Sequence, residues 1–127
     1  MIRPAEQEDV PQIIELLKLC NLYNPQLDYS EWSHPMLVMD ASGVIVGMTQ
    51  VILARPYAYM TEICVHPDWQ NKGITSALLT EVESILKDCG ISAWCGLATE
   101  LNENSIDRMK HKGGIEFKRG VALMRYI

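Results

Sequence analysis

The chain has 127 residues, 48% of them hydrophobic, and a formal net charge of −5. That length supports one domain spanning residues 1–127 around one packed core, and the apolar content excludes a disordered chain. The acidic balance argues against nucleic acid or an anionic membrane surface as partner and suits a cationic substrate.

No apolar run is long enough to cross a bilayer, and Met1-Ile2-Arg3-Pro4 is no signal peptide. Cys20, Cys64, Cys89 and Cys95 form no C-x-x-C pair, and most have apolar neighbours. They read as free core thiols of a reducing, cytoplasmic protein rather than a disulfide framework or zinc site. His34, His66 and His111 are too scattered to suggest a metal.

Ile2-Arg3 predicts a short first strand closed by Pro4. Asp9-Val10-Pro11 predicts a helix start, with Asp9 as N-cap and Pro11 in the first turn. Val10, Ile13, Ile14, Leu17 and Cys20 or Leu16 make its buried stripe, and Asn21 and Asn24-Pro25 end it. Leu27 to Trp32 reads as a short second helix. Pro35 to Met39 and Val44 to Leu53 read as strands joined by the turn Asp40-Ala41-Ser42-Gly43. Gly47 inside the second of these marks a bulge or a close backbone approach. After a turn at Arg55-Pro56, Tyr59 to Val65 completes an antiparallel meander.

Pro67 stops that strand. Beyond it Ile74, Leu78, Val82, Ile85 and Cys89 recur at helical spacing, and Gly90 supplies the positive φ that ends a helix. Ile91 to Leu97 reads as a strand covered on both faces. Asn102 to Lys112 reads as a short helix stopped by Gly113-Gly114. Ile115 to Phe117 and Val121 to Ile127 read as a closing hairpin.

The chemistry concentrates between the third meander strand and the long helix, at Gln70-Asn71-Lys72-Gly73-Ile74-Thr75-Ser76. A helix that opens on a glycine-bearing loop presents unpaired N–H groups and the positive end of its dipole, an anion site. Gly73 lets a ligand approach the backbone, Lys72 adds a cation, and Thr75 and Ser76 add hydroxyls. This suits a pyrophosphate. The spacing fits neither a P-loop nor a dinucleotide-binding fingerprint, because only one glycine is present.

The loop resembles the acetyl-CoA pyrophosphate loop of the GNAT superfamily of N-acetyltransferases, whose pattern is Gln or Arg, two residues, Gly, one residue, then Gly or Ala. Gln70 and Gly73 match it, and Thr75 departs from it. The approach Val65-His66-Pro67-Asp68-Trp69 and the opening Ile-Arg-Pro-Ala, then Glu-Asp-Val-Pro, are similar to the family as well. The resemblance implies an α/β domain of α+β type: a mixed, mainly antiparallel sheet flanked by helices, with its central strand pair splayed. It implies acetyl-CoA as co-substrate, no metal, and acetyl transfer to a primary amine of a small molecule or peptide by a monomer or homodimer. It assigns Ile63, Cys64 and Val65 to main-chain contact with the cofactor, with the Gln70–Ser76 loop and Asn104 beside them. It turns Tyr29 and Trp32 toward the acceptor; aromatics capping the core edge are the plainer reading of the same pair.

Transfer by direct attack needs a base, because a protonated amine is no nucleophile. Glu62 is the one carboxylate in the strand that ends at Val65, and alternation puts it on a face with Met60 and Cys64. It is a candidate base, or else the partner of Arg3 or Arg55. The family's usual tyrosine acid is missing: Met109-Lys110-His111-Lys112 stands there. His111 is the substitute, with a solvated helix-end histidine as the alternative, and Tyr126 is a weaker one. The missing tyrosine also leaves open a protein of this fold that binds acyl-CoA without catalysis, as a sensor or interaction module. Free-CoA release with a panel of amines separates the two readings. A structural protein that binds no nucleotide requires the loop match to be accidental.

Overall fold

The structure, a computed structural model, describes residues 1–96 together with Lys110 and His111. Met1–Leu97 form one compact unit and Ala98–Ile127 a second. In the second, only Lys110 and His111 are described; both are helical and exposed. The expected helix at 102–112 is otherwise outside the described residues, as are the closing hairpin, Asn104 and Tyr126.

The first unit is a five-stranded sheet in chain order. Strands β1 (Ile2–Pro4), β2 (Met36–Ala41), β3 (Val44–Ala54) and β4 (Tyr57–Val65) are antiparallel, and β5 (Trp94–Gly96) pairs parallel with β4 at Ala58–Met60. The course of β5 beyond Gly96, where the splay is expected, is outside the described residues. Helix α1 (Val10–Leu19) joins β1 to β2, and α2 (Ile74–Asp88) joins β4 to β5.

Short-range chemistry explains most boundaries. Ser42 and Gly43, with φ of 55° and 94°, form the two-residue turn between β2 and β3, and Asp40 Oδ1 accepts the Gly43 N–H at 2.7 Å. Both positive φ values match the twist of a hairpin. Both helices end on a left-handed residue, Asn21 and Gly90. At each end the last carbonyls are closed by a crossed pair of bonds, Leu22 N to Leu17 O and Ile91 N to Leu86 O among them.

Several expectations are corrected. Residues 27–32 form turns, not a helix. Asn24 Oδ1 accepts the Gln26 N–H and Asp28 Oδ1 accepts the Ser30 N–H, so side chains take donors that a helix would need. Asp9 is the N-cap residue of α1 but makes no cap bond there. Its carboxylate turns back to the Glu6 N–H and to Arg3, whose Nη1 donates to it at 2.8 Å. In α2 the buried stripe is Ile74, Leu78, Leu79, Val82 and Leu86, without Ile85 and Cys89. β5 starts three residues late, because Ile91 is used in closing α2 and is itself buried.

The helices cover opposite faces. α1 packs Ile13, Leu16 and Leu17 on Met36, Val38, Ile45, Met48 and Cys64. Gly47, one residue before Met48, points the other way, toward α2. A Cβ placed on Gly47 would lie 3.0 Å from Ile74 Cγ2 and 3.4 Å from Leu78 Cδ1. Gly47 is therefore the close approach its position predicts. It also borders a bulge: Met39 pairs with Gly47 and Asp40 with Ile45, so Val46 is the extra residue.

Two outcomes follow from this packing. Gly47→Val should destabilise the fold by roughly 1–3 kcal/mol through overpacking, read by chemical denaturation, whereas Val44→Ala on the exposed start of β3 should change little. Asp9 and Asp40 have carboxyl pKa values below their ordinary one. Arg3's hydrogen bond is the main cause at Asp9, and the Gly43 N–H followed by Arg3 at Asp40. A depressed folded pKa stabilises the fold above the unfolded value of about 3.9 and loses that contribution as pH falls through the folded pKa. Acid unfolding should therefore steepen below about pH 4, and Asp9→Asn should flatten that limb while lowering stability at neutral pH.

Candidate active site

The end of β4, the loop after it and the start of α2 form one continuous piece. His66 Nδ1 accepts the Asp68 N–H at 3.1 Å and its carbonyl accepts the Trp69 N–H at 2.8 Å, closing a short 3-10 turn at Pro67–Trp69. Gln70 then reaches back, its Nε2 donating to the Val65 carbonyl at 3.3 Å. Asn71 and Gly73 both take left-handed conformations, with φ of 62° and 81°. Gly73 is the N-cap of α2 and has no side-chain cap. Nothing lies within 4 Å of where its Cβ would be.

The first helical bond runs from the Ala77 N–H to the Gly73 carbonyl at 3.0 Å. The N–H groups of Ile74 and Thr75 thus precede the helical ladder and lie at the positive end of its dipole. The Thr75 hydroxyl is not the cap that its position allowed, and Ser76 is exposed. Lys72 is exposed, with its ammonium 5.4 Å from the centre of the Trp69 ring. Gln70, Lys72, Gly73, Ile74 and Thr75 are therefore gathered around one exposed helix end, and Ile74 alone among them is buried, under Gly47.

The backbone of β4 is divided between two sides. The His66 N–H donates to the Val46 carbonyl at 2.8 Å, which makes these two a hydrogen-bonded pair. By antiparallel alternation Met48 and Cys64 are also such a pair, while Gly47–Val65 and Thr49–Ile63 are not. The peptide groups of Ile63 and Val65 therefore point away from β3. Those of Cys64 belong to the β3 ladder, so the expected main-chain role of Cys64 is corrected.

A second bulge separates Glu62 from Met60. Gln50 pairs with Glu62 but Val51 pairs with Met60, which leaves Thr61 as the extra residue. Partners across a sheet share a face. Glu62 thus lies with Gln50, Met48 and Cys64, and Met60 lies with Val51 on the face of Gly47. The expected sharing of one face by Glu62 and Met60 fails for this reason. Glu62 is half-buried, and the Thr61 hydroxyl lies 2.6 Å from its Oε2 and 3.3 Å from Gln50 Oε1. No basic side chain pairs with it among the described residues, and Arg3 is held by Asp9 and Asp40. Thr49, fully buried, donates to the Glu62 carbonyl at 2.8 Å. Thr49, Gln50 and Thr61 were missed from the sequence; a threonine in a strand carries no mark of a bulge.

Tyr29 is buried in the α1-side core, stacked on Tyr23 at 5.7 Å, and its hydroxyl accepts the Asn24 N–H. Trp32 is half-buried at the edge of the same cluster. Both stand where the core-edge reading has them. His111 is exposed on a helix of the second unit, and Asn104 is outside the described residues. Among the described residues, no group of three or more His, Cys, Asp or Glu is placed to hold a metal ion.

Comparison with known proteins agrees with this geometry. No curated protein matches the chain by sequence. An aminoglycoside acetyltransferase, meta-AAC0020 from an uncultured soil metagenomic sample, in complex with sisomicin, superposes with a TM-score of 0.76 at 18% identity, over 100% of this chain and 95% of that one. The aminoglycoside N-acetyltransferase AAC(6′)-Iy in complex with CoA gives 0.78 at 17% identity, over 100% of both chains. A ribosomal-protein-alanine N-acetyltransferase from Brucella melitensis biovar Abortus 2308 gives 0.77 at 18%, over 99% of both. These likenesses establish the fold. The family model described as Acetyltransferase (GNAT) family matches residues 5–115, most of the chain, so this protein belongs to the GNAT acetyltransferase family, whose acyl donor is acetyl-CoA.

Proposed function

We propose that this protein transfers the acetyl group of acetyl-CoA to a primary amine by direct attack, without a covalent acyl-enzyme. The observation that carries the reading is the open N-terminus of α2, capped by left-handed Gly73 with nothing in the space above it. The pyrophosphate of the cofactor takes the N–H groups from Gly73 to Ser76, with Lys72 beside it and Asn71 in the curve of the loop. Gln70 braces the loop against β4. The pantetheine arm follows β4 along the outward peptide groups of Ile63 and Val65. A polarised thioester carbonyl then needs only donors that stabilise its oxyanion.

Glu62 serves as base, directly or through water, because a carboxylate held at 2.6 Å by Thr61 and unpaired with any described cation can accept the amine's proton. His111, on an exposed helical turn, is the candidate for returning a proton to the CoA thiolate, with Tyr126 the weaker one on the sequence alone. Asn104 keeps its proposed cofactor role on the sequence alone, and Trp32 is a candidate for the acceptor side. An amine acceptor agrees with the net charge of −5. Two of the similar structures carry names with amine acceptors, an aminoglycoside and a ribosomal-protein alanine. Four free cysteines suit a reducing cytoplasm, with the chain acting as monomer or homodimer on a single domain.

Isothermal calorimetry with acetyl-CoA tests the loop. Gly73→Asp places a carboxylate where the phosphates bind and should abolish measurable affinity, while Thr75→Ala should bind within about twofold of wild type, since no cap is lost. Equal affinity for wild type and Gly73→Asp would sink the assignment.

The base is tested by turnover once a panel of polyamines, aminoglycosides and peptides has supplied an acceptor. Glu62→Gln should lower kcat on the order of 10²-fold or more and remove the acidic limb of the pH–rate profile, with the acetyl-CoA affinity unchanged. A mutant that keeps wild-type turnover at every pH would leave catalysis to positioning and water.

A further inference from the structure

The carboxylate assigned as base does not stand alone. In a regular strand neighbouring side chains point to opposite faces, so residues 61 and 62 would not reach each other. The bulge cancels that alternation. Thr61 is the extra residue of β4, and its hydroxyl lies 2.6 Å from Glu62 Oε2. Gln50, paired with Glu62 across the ladder, brings its amide to 3.3 Å from the same hydroxyl. Thr49, fully buried, donates to the Glu62 main-chain carbonyl at 2.8 Å. Glu62 is thereby held at its backbone and again at its carboxylate.

The chemistry of these contacts sets their direction. A threonine hydroxyl has one hydrogen, and the carboxylate of a base has none. At 2.6 Å that hydrogen belongs to the bond with Glu62, which is charge-assisted and the stronger of the two. The Thr61 oxygen keeps its lone pairs for a donor from Gln50. A half-turn about the last bond of Gln50 exchanges its oxygen and nitrogen in place and supplies that donor. Oε1 of Glu62 has no partner among the described residues, and the side chain is only half-buried.

We propose that Thr61 and Gln50 are positioning residues for acetyl transfer: in a chain from Gln50 to Thr61 to Glu62 they fix Oε2 and present Oε1 as the oxygen that takes the amine's proton. The proposal rests on Glu62 as the base. As a neutral amine attacks the thioester carbonyl, its nitrogen bonds to carbon and the C–S bond breaks. CoA leaves as the thiolate, the amine's proton passes to Oε1, and the Thr61 hydroxyl keeps its own. Loss of the proton from Oε1 to water restores the carboxylate. A carboxylate already pinned through one oxygen gives up no rotational freedom when it reacts.

The experiment is a double-mutant cycle on the full chain, Thr61→Val with Glu62→Gln. It is read by steady-state kinetics with the amine found in the acceptor panel, and by chemical denaturation. Thr61→Val keeps the branched shape and removes the donor. It should lower kcat roughly tenfold or more, the worth of one hydrogen bond to a charged group, with KM for acetyl-CoA unchanged. Thr61→Ser returns the hydroxyl and should recover kcat. Gln50→Met should cost less than Thr61→Val, because Gln50 acts through Thr61. In the Glu62→Gln background, Thr61→Val should cost no further kcat. An equal loss in both backgrounds, or a Thr61→Ser that recovers nothing, is what a merely structural Thr61 gives and would overturn the proposal. If Glu62→Gln keeps wild-type turnover, the base reading falls and this inference with it. If Glu62→Gln is impaired and Thr61→Val is not, the inference alone falls. The denaturation arm needs no acceptor: unfolding free energies that add, with no coupling between positions 61 and 62, would overturn the bond on which the proposal stands.

Discussion

The contact on which the rest depends is the one between Gly47 and the first turn of α2. Ile74 is the first residue of α2, and its methyl group occupies the space a side chain on Gly47 would need. Burying Ile74, Leu78, Leu79, Val82 and Leu86 stabilises the docked helix by roughly 1.5–3 kcal/mol per side chain before entropy is counted. That is ample to hold a helix whose N-terminus has no side-chain cap. Because the anchor residue directly follows Gly73, fixing Ile74 on the sheet also fixes the open donors beside it. A larger residue at position 47 would lift this end of α2 off the sheet and move its N-terminal N–H groups with it.

Strand irregularities do the remaining positioning. The β3–β4 register runs on past Gly47–Val65, with the Val46 carbonyl accepting the His66 N–H, which extends the pairing of β4 to the edge of the loop. The bulge at Thr61 separates Glu62 from Met60. Without it, alternation would put Glu62 and Met60 on one face. With it, the carboxylate lies beside Gln50 and Thr61 with hydrogen-bonding groups in reach. Thr49, buried without exposure, satisfies its hydroxyl on the Glu62 carbonyl and ties the two strands at this point. Bulges are commonly found where a side chain must be re-aimed, and both here flank the stretch from Glu62 to Val65.

What could be read from the sequence was what local chemistry decides. The turn at Ser42-Gly43, the stop at Pro67, the left-handed Gly73 and the helix end at Gly90 each follow from one residue's backbone preference. The order of elements, the loop and the significance of Gly47 were legible for that reason. That Glu62 shares a face with Cys64 was legible too; its separation from Met60 was not, because a bulge is set by the register of two strands and no residue near Thr61 announces it. Asp9 takes the N-cap position its residue type predicts, but its carboxylate goes to Arg3, which folding brings near, and not to the helix N–H groups. Residues 27–32 carry helix-compatible aromatics, yet Asn24 and Asp28 bind nearby N–H groups first. Tyr29 looked like a pocket residue because an aromatic near acidic side chains reads the same whether it faces a ligand or Tyr23.

One carbonyl joins the loop to the end of α1. Val65 ends β4, and its oxygen points away from β3, so a regular sheet would offer it to the next strand or to a ligand. Instead Gln70 Nε2 approaches it at 3.3 Å and Cys20 Sγ at 3.4 Å. A carbonyl oxygen has two lone pairs, and both are addressed. These are long contacts, individually weak, so each is exchangeable at small cost. The Val65 carbonyl is therefore a junction between the loop and the end of α1. A ligand that pairs with this end of β4 has the Val65 N–H and the Ile63 peptide groups before it must displace Gln70. Gln70, the first residue of the loop pattern, acts here as a brace holding the loop to the strand, and its amide need not touch a phosphate to matter for binding one. Gln70 in the loop and Cys20 at the end of α1 hold the same atom from its two sides.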